Sequence, residues 1–134
     1  MENNFRSRCP ITYALDIFGD KWSLLILRDL VFREKCHYQE FLNSEESIST
    51  NILADRLNKL QQHGLINKTK DPGNKKQNIY SITEKSIDLI PMMVEIIGWS
   101  AKHDKNTGIS QEMKDKIFNQ KNEYIKCILN KTNL

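Results

Sequence analysis

The chain has 134 residues, a formal net charge of +3, 28% charged and 39% hydrophobic residues, which suits one domain with a real core plus a dimerisation appendage and argues against a disordered chain. This mildly basic balance permits a nucleic-acid partner without requiring one, so the local clustering of charge decides. The longest apolar run, Leu24–Leu27, is too short for a membrane span, and Met1-Glu2-Asn3-Asn4-Phe5-Arg6 lacks the apolar segment of a secretory signal, so a cytoplasmic protein with no membrane partner is expected.

Pro10 suits the first turn of a helix whose apolar face is Ile11, Ala14, Leu15 and Phe18. Gly19 ends it, and Asp20 is a good cap for the next helix. That second helix, Lys21 to about Phe32, is apolar nearly all round and belongs in the middle of a small core. After a polar connection, Tyr38–Leu42 reads as a brief helix, and Asn43–Ser47 as a turn. Ser49 then caps a longer helix with Leu53, Leu57 and Leu60 on one face and Gly64 as its stop. Leu65–Lys70 and Gln77–Ile82 are strand-length segments around the turn signal Asp71-Pro72-Gly73-Asn74, with Ile79, Tyr80 and Ile82 available to the core. Thr83 caps a further helix carrying Ile87, Ile90, Val94 and Ile97 at helical spacing, with a kink expected at Pro91. Lys102–Gly108 reads as a linker, and Met113, Ile117, Ile125, Ile128 and Leu129 predict one last amphipathic helix from Ser110 onward.

A short helix, a turn, a capped helix and a hairpin in that order describe a mainly α fold with a small β-hairpin, a winged helix-turn-helix with further helices after the wing. A helix of about 10–12 Å diameter fits the major groove of B-DNA. With the three leucines buried, Asn51, Asp55, Asn58 and Gln62 lie on the opposite face, and Thr50 and Asn51 sit in the first turn, nearest the base edges in this motif. Asn and Gln pair with adenine. Arg56, on the flank, can reach a base, a phosphate or a carboxylate, and Asp55 is expected to pair with a neighbour such as Lys59. Lys68, Lys70, Lys75 and Lys76 against the single acid Asp71 make the clearest local positive patch, suited to phosphate contacts or, more plainly, to a solvated loop. The candidate DNA-contacting set is Tyr38, Gln39, Ser49, Thr50, Asn51, Arg56, Asn58, Lys70, Lys75 and Lys76.

The segment Gly19-Asp20-Lys21-Trp22-Ser23-Leu24-Leu25-Ile26-Leu27-Arg28-Asp29-Leu30 resembles the signature of HxlR-type winged-helix regulators. The likeness continues in Phe41-Leu42, Ile48-Ser49, Leu53-Ala54-Asp55-Arg56-Leu57-Asn58-Lys59-Leu60, Gly64-Leu65-Ile66, Tyr80-Ser81-Ile82-Thr83-Glu84 and Trp99, and Cys9-Pro10 matches the family's usual start. It covers about residues 9–102, with 103–134 left as a linker and a C-terminal helix associated with the dimer. Departures lie at Arg33 and Ser86, where the family usually has glycine, at His37-Tyr38, where Arg-Phe is usual, and around Lys76-Gln77, where prolines are frequent. They bear on wing-tip shape and phosphate contacts. The resemblance implies a transcription regulator, often a repressor, that binds inverted-repeat operators in double-stranded DNA as a homodimer. In such proteins the first helix and the helices after the wing build the dimer interface. The stripe Ile87, Ile90, Val94 and Ile97 fits that role, or packs wholly on its own core.

Three cysteines, Cys9, Cys36 and Cys127, are an odd count at wide spacings and not a secreted disulfide framework. Cys9 sits at a helix N-terminus, where backbone N–H groups favour a thiolate, with Arg6 and Arg8 nearby. Several HxlR-like proteins sense oxidants, quinones or aldehydes through a cysteine at the matching position. The resemblance thus implies redox sensing through an intersubunit disulfide or a mixed adduct of Cys9, against the plainer reading of a partly buried, silent thiol. Cys36 reads as a core residue and Cys127 as packed, either being a candidate resolving partner.

Rival classes find little support. The glycines are too scattered for a phosphate loop, and no G-x-S-x-G or H-E-x-x-H motif is present, so no enzyme, catalytic residue or cofactor is expected. Cys36-His37 are adjacent, but His63 and His103 are distant and no C-x-x-C pair anchors a cluster, so no metal site is expected either; each histidine reads as a surface or capping residue, and His37 alternatively stands near the DNA backbone. Two alternatives stay open: a winged-helix protein-interaction module, and a regulator responding to a small molecule at the dimer interface, with Trp22, Trp99 and Tyr13 as lining or plain core.

Overall fold

A computed structural model describes residues 6–132 of the chain. They form α1 (Pro10–Phe18), α2 (Ser23–Phe32), α3 (Tyr38–Leu42), α4 (Thr50–Gln62), β1 (Ile66–Asp71), β2 (Asn74–Ile82), α5 (Glu84–Ile87), α6 (Ile90–His103), α7 (Gln111–Asn119) and α8 (Lys121–Thr132). The fold is mainly helical with one two-stranded antiparallel hairpin. It divides into two compact units, one running to Thr83 and the other beginning at Glu84. No helix among the described residues is long and apolar enough to cross a membrane.

In the first unit the buried apolar residues come from every element: Ile17, Phe18, Ile26, Leu27, Phe41, Leu53, Leu57, Leu60, Leu65, Ile66 and Tyr80. Phe41 and Tyr80 meet edge to face at 5.9 Å, joining α3 to β2. Tyr80, not its neighbours Ile79 and Ile82, is the buried side chain of β2; both isoleucines are only half-buried. Helix α1 departs from its expected packing. Phe18 is buried with Ile17, whereas Ile11 and Leu15 from the same predicted face are 70% and 51% exposed.

Two caps fix α4. The Ser49 hydroxyl accepts the Ile52 N–H at 3.3 Å, satisfying one of the free donors of the first turn. At the other end Gly64 takes φ +74°, a left-handed conformation that favours a residue without Cβ. The Gly64 N–H reaches the Gln61 carbonyl at 3.0 Å and the Leu65 N–H reaches Leu60 at 2.9 Å, the pair of bonds that closes a Schellman motif. The chain therefore leaves α4 directly into β1. The hairpin register runs from Ile66 opposite Ile82 to Lys70 opposite Asn78, then shifts so that Asp71 faces Asn74. Lys75, Lys76 and Gln77 fall in that irregular stretch at the tip.

In the second unit the break before α6 replaces the expected kink. Helix α5 ends at Ile87 and Pro91 lies in the first turn of α6, where a missing N–H leaves no hydrogen bond unmade. The final helix is likewise two, α7 and α8, parted at Gln120, whose backbone leaves the helical region. Ile90, Met93, Val94, Ile117 and Ile128 are buried. A Cβ at Gly98 would stand 3.1 Å from Ile117 Cγ2, so glycine there lets α7 approach α6 closely. Of the predicted stripe on α6, Ile90 and Val94 are fully buried within the chain; the exposed apolar residues are instead Ile96 at 44% and Trp99 at 68%.

Candidate nucleic-acid interface

Helices α3 and α4 and the turn between them are held by an acid at each end of α2. Asp20 accepts the N–H groups of Trp22 at 2.9 Å and Ser23 at 3.0 Å and the Ser23 hydroxyl at 2.6 Å, which starts α2. The same carboxylate receives Arg56 Nε at 2.8 Å from α4. Partial burial pushes this carboxyl up, but the Ser23, Trp22 and Arg56 hydrogen bonds outweigh it and bring its pKa down to about 2. Near the other end of α2, Asp29 is 2% exposed. It accepts the Ser44 hydroxyl at 2.7 Å and Arg28 Nε at 3.1 Å. Arg28 in turn makes a two-pronged pair with Glu46 at 2.7 and 2.9 Å, which holds the Glu46 carboxyl at about 2. Sequence reading passed over Asp29, Ser44 and Glu46. The signal available was an acid inside a mostly apolar helix, which needs partners if it is buried.

The face of α4 opposite its buried leucines is open. Thr50, Asn51, Asp55, Asn58 and Gln62 are all exposed, and Ser49 and Gln39 are exposed beside them. Tyr38 differs from the others: its hydroxyl donates to the Thr50 carbonyl at 3.1 Å, so it braces the start of α4 from α3. Arg56 also differs, being half-buried with its guanidinium engaged by Asp20 and by Asp55. It took the carboxylate option among its three, and Asp55 pairs with Arg56 in place of Lys59. A side chain held in this way positions α4 against the start of α2.

The hairpin tip is basic. Lys68, Lys70, Lys75 and Lys76 are exposed, and among the described residues none of them is in an ion pair. The one acid of the tip is turned away from them. Asp71 accepts the Gly73 N–H at 2.9 Å, Gln77 Nε2 at 3.0 Å and the His37 ring at 3.1 Å. His37 caps α3, and Glu40 completes the reciprocal capping box. Bonds to Glu40 and then Asp71 raise the imidazole pKa. A histidine wedged between two acids is a clasp between α3 and the hairpin, which settles its capping role.

The other sequence-predicted positions lie apart from this surface. Cys9 is exposed as the residue before α1, and the N–H groups of Thr12 and Ile11 lower its thiol pKa. Arg6 does not assist, because it pairs with Asp16 at 2.7 Å. Cys127 is exposed, not packed, because it lies on the outer side of α8, and Cys36 is half-buried. Tyr13 and Trp99 are 42% and 68% exposed, so neither is plain core, and the Trp99 ring lies tilted against that of His103, with centroids 5.2 Å apart. Trp22 lines an open cleft with Leu25, Ile26, Phe41, Ile48 and Leu53.

Comparison with known proteins agrees with this geometry. The model of the HxlR-like helix-turn-helix matches residues 17–107. An uncharacterized HTH-type transcriptional regulator of Synechocystis is 33% identical over 86 residues, a span of 64% of this chain and 63% of that relative. Among solved structures, the redox regulator HypR in its oxidized form superposes with a TM-score of 0.61 at 25% identity, over 71% of this chain and 97% of that one. The reduced form of the transcriptional regulator YodB from B. subtilis gives 0.58 at 26% identity, over 73% of this chain and 96% of that one. The chain therefore belongs to the HxlR-like helix-turn-helix family, and it is a transcription regulator of the HTH type with no enzymatic relatives among these matches.

Proposed function

We propose that the chain represses transcription in the cytoplasm by binding an inverted-repeat operator as a homodimer, through the winged helix-turn-helix domain spanning residues 9–102. One observation carries this reading: a helix capped at both ends, buried on its leucine face, presents Thr50, Asn51 and Asn58 to solvent close in sequence to a hairpin tip whose lysines lack acidic partners. Asn51 and Asn58 are the base readers, with Gln39, Ser49 and Thr50 at the helix entrance. Lys70, Lys75 and Lys76 hold phosphates and set the register on the duplex. Tyr38 and Arg56 act by fixing α4. Exposed Ile11 and Leu15 on α1, and Ile96 and Trp99 on α6, are the apolar groups that a second copy covers, with residues 103–134 assisting.

The test is binding of the purified protein to DNA upstream of its own gene across a salt series. Tight, selective binding that weakens steeply with salt is the expected result. Weak, salt-insensitive binding to every fragment overturns the reading in favour of a protein-interaction module.

A specific observation favours an oxidant as the inducer. The Cys9 thiol is exposed at a helix N-terminus with a lowered pKa, and similar structures include a redox regulator in its oxidized form. Oxidation of Cys9 to an intersubunit disulfide or a mixed adduct shifts the dimer and releases DNA. Diamide treatment that leaves binding unchanged, or that acts equally on Cys9→Ser, rejects this part in favour of a small-molecule inducer.

A further inference from the structure

Beside the DNA-binding surface, Cys36, His37 and Glu40 bring three different metal-binding atoms together. Cys36 Sγ lies 3.5 Å from His37 Nδ1 and 3.9 Å from Glu40 Oε1, and the latter two atoms are 3.0 Å apart. Tetrahedral zinc, with bonds of about 2.3 Å to sulfur and about 2.0–2.1 Å to nitrogen and oxygen, separates its ligand atoms by roughly 3.3–3.6 Å. The observed spacings straddle that range, and small side-chain rotations bring them into it.

The ring of His37 is oriented as a ligand requires. Nδ1 faces the sulfur and the carboxylate, while Nε2 lies 3.1 Å from Asp71 Oδ2. That is the carboxylate–histidine arrangement that fixes the tautomer of a metal-bound imidazole, with its single N–H on the side away from the ion. The backbone is held as well, since the Cys36 carbonyl accepts the Tyr80 N–H at 2.8 Å. Glu40 also accepts the N–H groups of Cys36 at 3.2 Å and His37 at 3.1 Å. Both capping bonds fall on Oε1 and use its two lone-pair sites, so the other carboxylate oxygen, Oε2, supplies the lone pair for an ion.

We propose that Cys36, His37 and Glu40 form a three-ligand site for a divalent ion of the zinc class, with Asp71 as the carboxylate that orients His37 and solvent in the open position. Thiolate and imidazole together select zinc-like ions over magnesium or calcium. On binding, the Cys36 thiol proton and the proton that His37 Nδ1 shares with Glu40 both pass to solvent, the ion–sulfur and ion–Nδ1 bonds form, and His37 is left as the neutral imidazole with its N–H toward Asp71. Cys36 and His37 lie in the connection before α3, Glu40 lies on α3 and Asp71 ends β1, so the bound ion stiffens the junction between α3 and the hairpin. This inference does not depend on the DNA-binding reading.

The experiment is a titration of the full, reduced protein with Co2+ as a spectroscopic probe, followed by competition with Zn2+. The expected result is a saturable thiolate-to-cobalt charge-transfer band at one ion per chain, bleached by Zn2+. The band persists in Cys9→Ser and Cys127→Ser and disappears in Cys36→Ser. Glu40→Gln keeps an oxygen for the capping bonds and so preserves the fold, while Zn2+ affinity falls at least about tenfold; Asp71→Asn lowers it by about 10–100-fold. No saturable band, or one indifferent to Cys36→Ser, overturns the proposal, as does unchanged affinity in Glu40→Gln.

Discussion

Arg56 Nε lies 2.8 Å from Asp20 Oδ2, which joins α4 to the start of α2 across 36 residues of chain. The carboxylate that nucleates α2 is thus also the anchor that sets the rotation of α4. Both side chains are largely shielded, at 26% and 20% exposure. Arg56→Ala is expected to lower stability by about 1–2 kcal/mol, typical for losing a hydrogen bond to a charged group. Urea unfolding of Asp20→Ala, Arg56→Ala and the double variant measures the coupling. If the two losses simply add, the pair does not tie the helices together.

Acid weakens this network. The carboxyls of Asp20 and Glu46 are each held at about 2 in the folded chain, below their ordinary values of about 4. A depressed folded pKa gives stability that is fully present above the ordinary value and is lost as pH falls through it toward the folded value. For Asp20 the loss is about 2 kcal/mol. Unfolding midpoints measured from pH 6 to pH 2 should therefore fall most steeply below about pH 4. Asp20→Asn should flatten that slope; an unchanged slope would locate the acid sensitivity elsewhere.

The two halves of the DNA surface should respond differently to substitution. Lys75→Ala and Lys76→Ala are expected to weaken all sequences alike and to reduce the salt slope by about one for each phosphate that is no longer neutralised. Asn51→Ala should instead cost about 1–3 kcal/mol on the operator alone and relax selectivity at one base pair. Fluorescence anisotropy on operator and scrambled duplexes separates the two patterns, and loss of selectivity in the lysine variants would reverse the assignment.

Trp99 is 68% exposed in the chain and Ile11 is 70% exposed. Charged replacements there, Trp99→Asp and Ile11→Glu, remove little that the single chain buries, yet they place charge where a second copy would pack. Sedimentation velocity should show a dimer for the parent protein and monomers for the variants, with helical circular dichroism preserved. Variants that remain dimeric would place the subunit contact on another face.

Glu34 carries φ +53° just after α2, a left-handed conformation that costs a residue with a Cβ about 1–2 kcal/mol. Glycine lacks that cost but loses more chain entropy on folding. Glu34→Gly is expected to raise stability by about 0.5–1 kcal/mol, read as an increased thermal midpoint. Arg33→Gly should not do so, because Arg33 sits at φ −112°.

Local rules made much of the first unit legible. The leucines of α4 at helical spacing, the Ser49 cap and the Gly64 stop are short-range signals, and each is found where its chemistry placed it. The turn at Pro72-Gly73 marked the hairpin for the same reason. Other features depended on partners far along the chain. Arg56 on a polar flank offers itself to a base, a phosphate or a carboxylate, and only the fold places the Asp20 carboxylate beside it. Cys36 and His37 look isolated when histidines and cysteines alone are counted; Glu40 and Asp71 join them only through the capping box and the hairpin fold. The pattern of α1 and α6 showed that these helices are apolar, but not which apolar residues the chain itself covers.

The sequence by itself determined the order of elements as far as the hairpin, the Ser49 cap and Gly64 stop of α4, the basic hairpin and the family, because periodicity, capping and turn chemistry act within a few residues. Tertiary structure decided which charges are spent inside the fold, which apolar side chains stay uncovered, and which metal-binding atoms come together. Those outcomes depend on distances between segments far apart in sequence, and electrostatics, burial and coordination all act through distance in space.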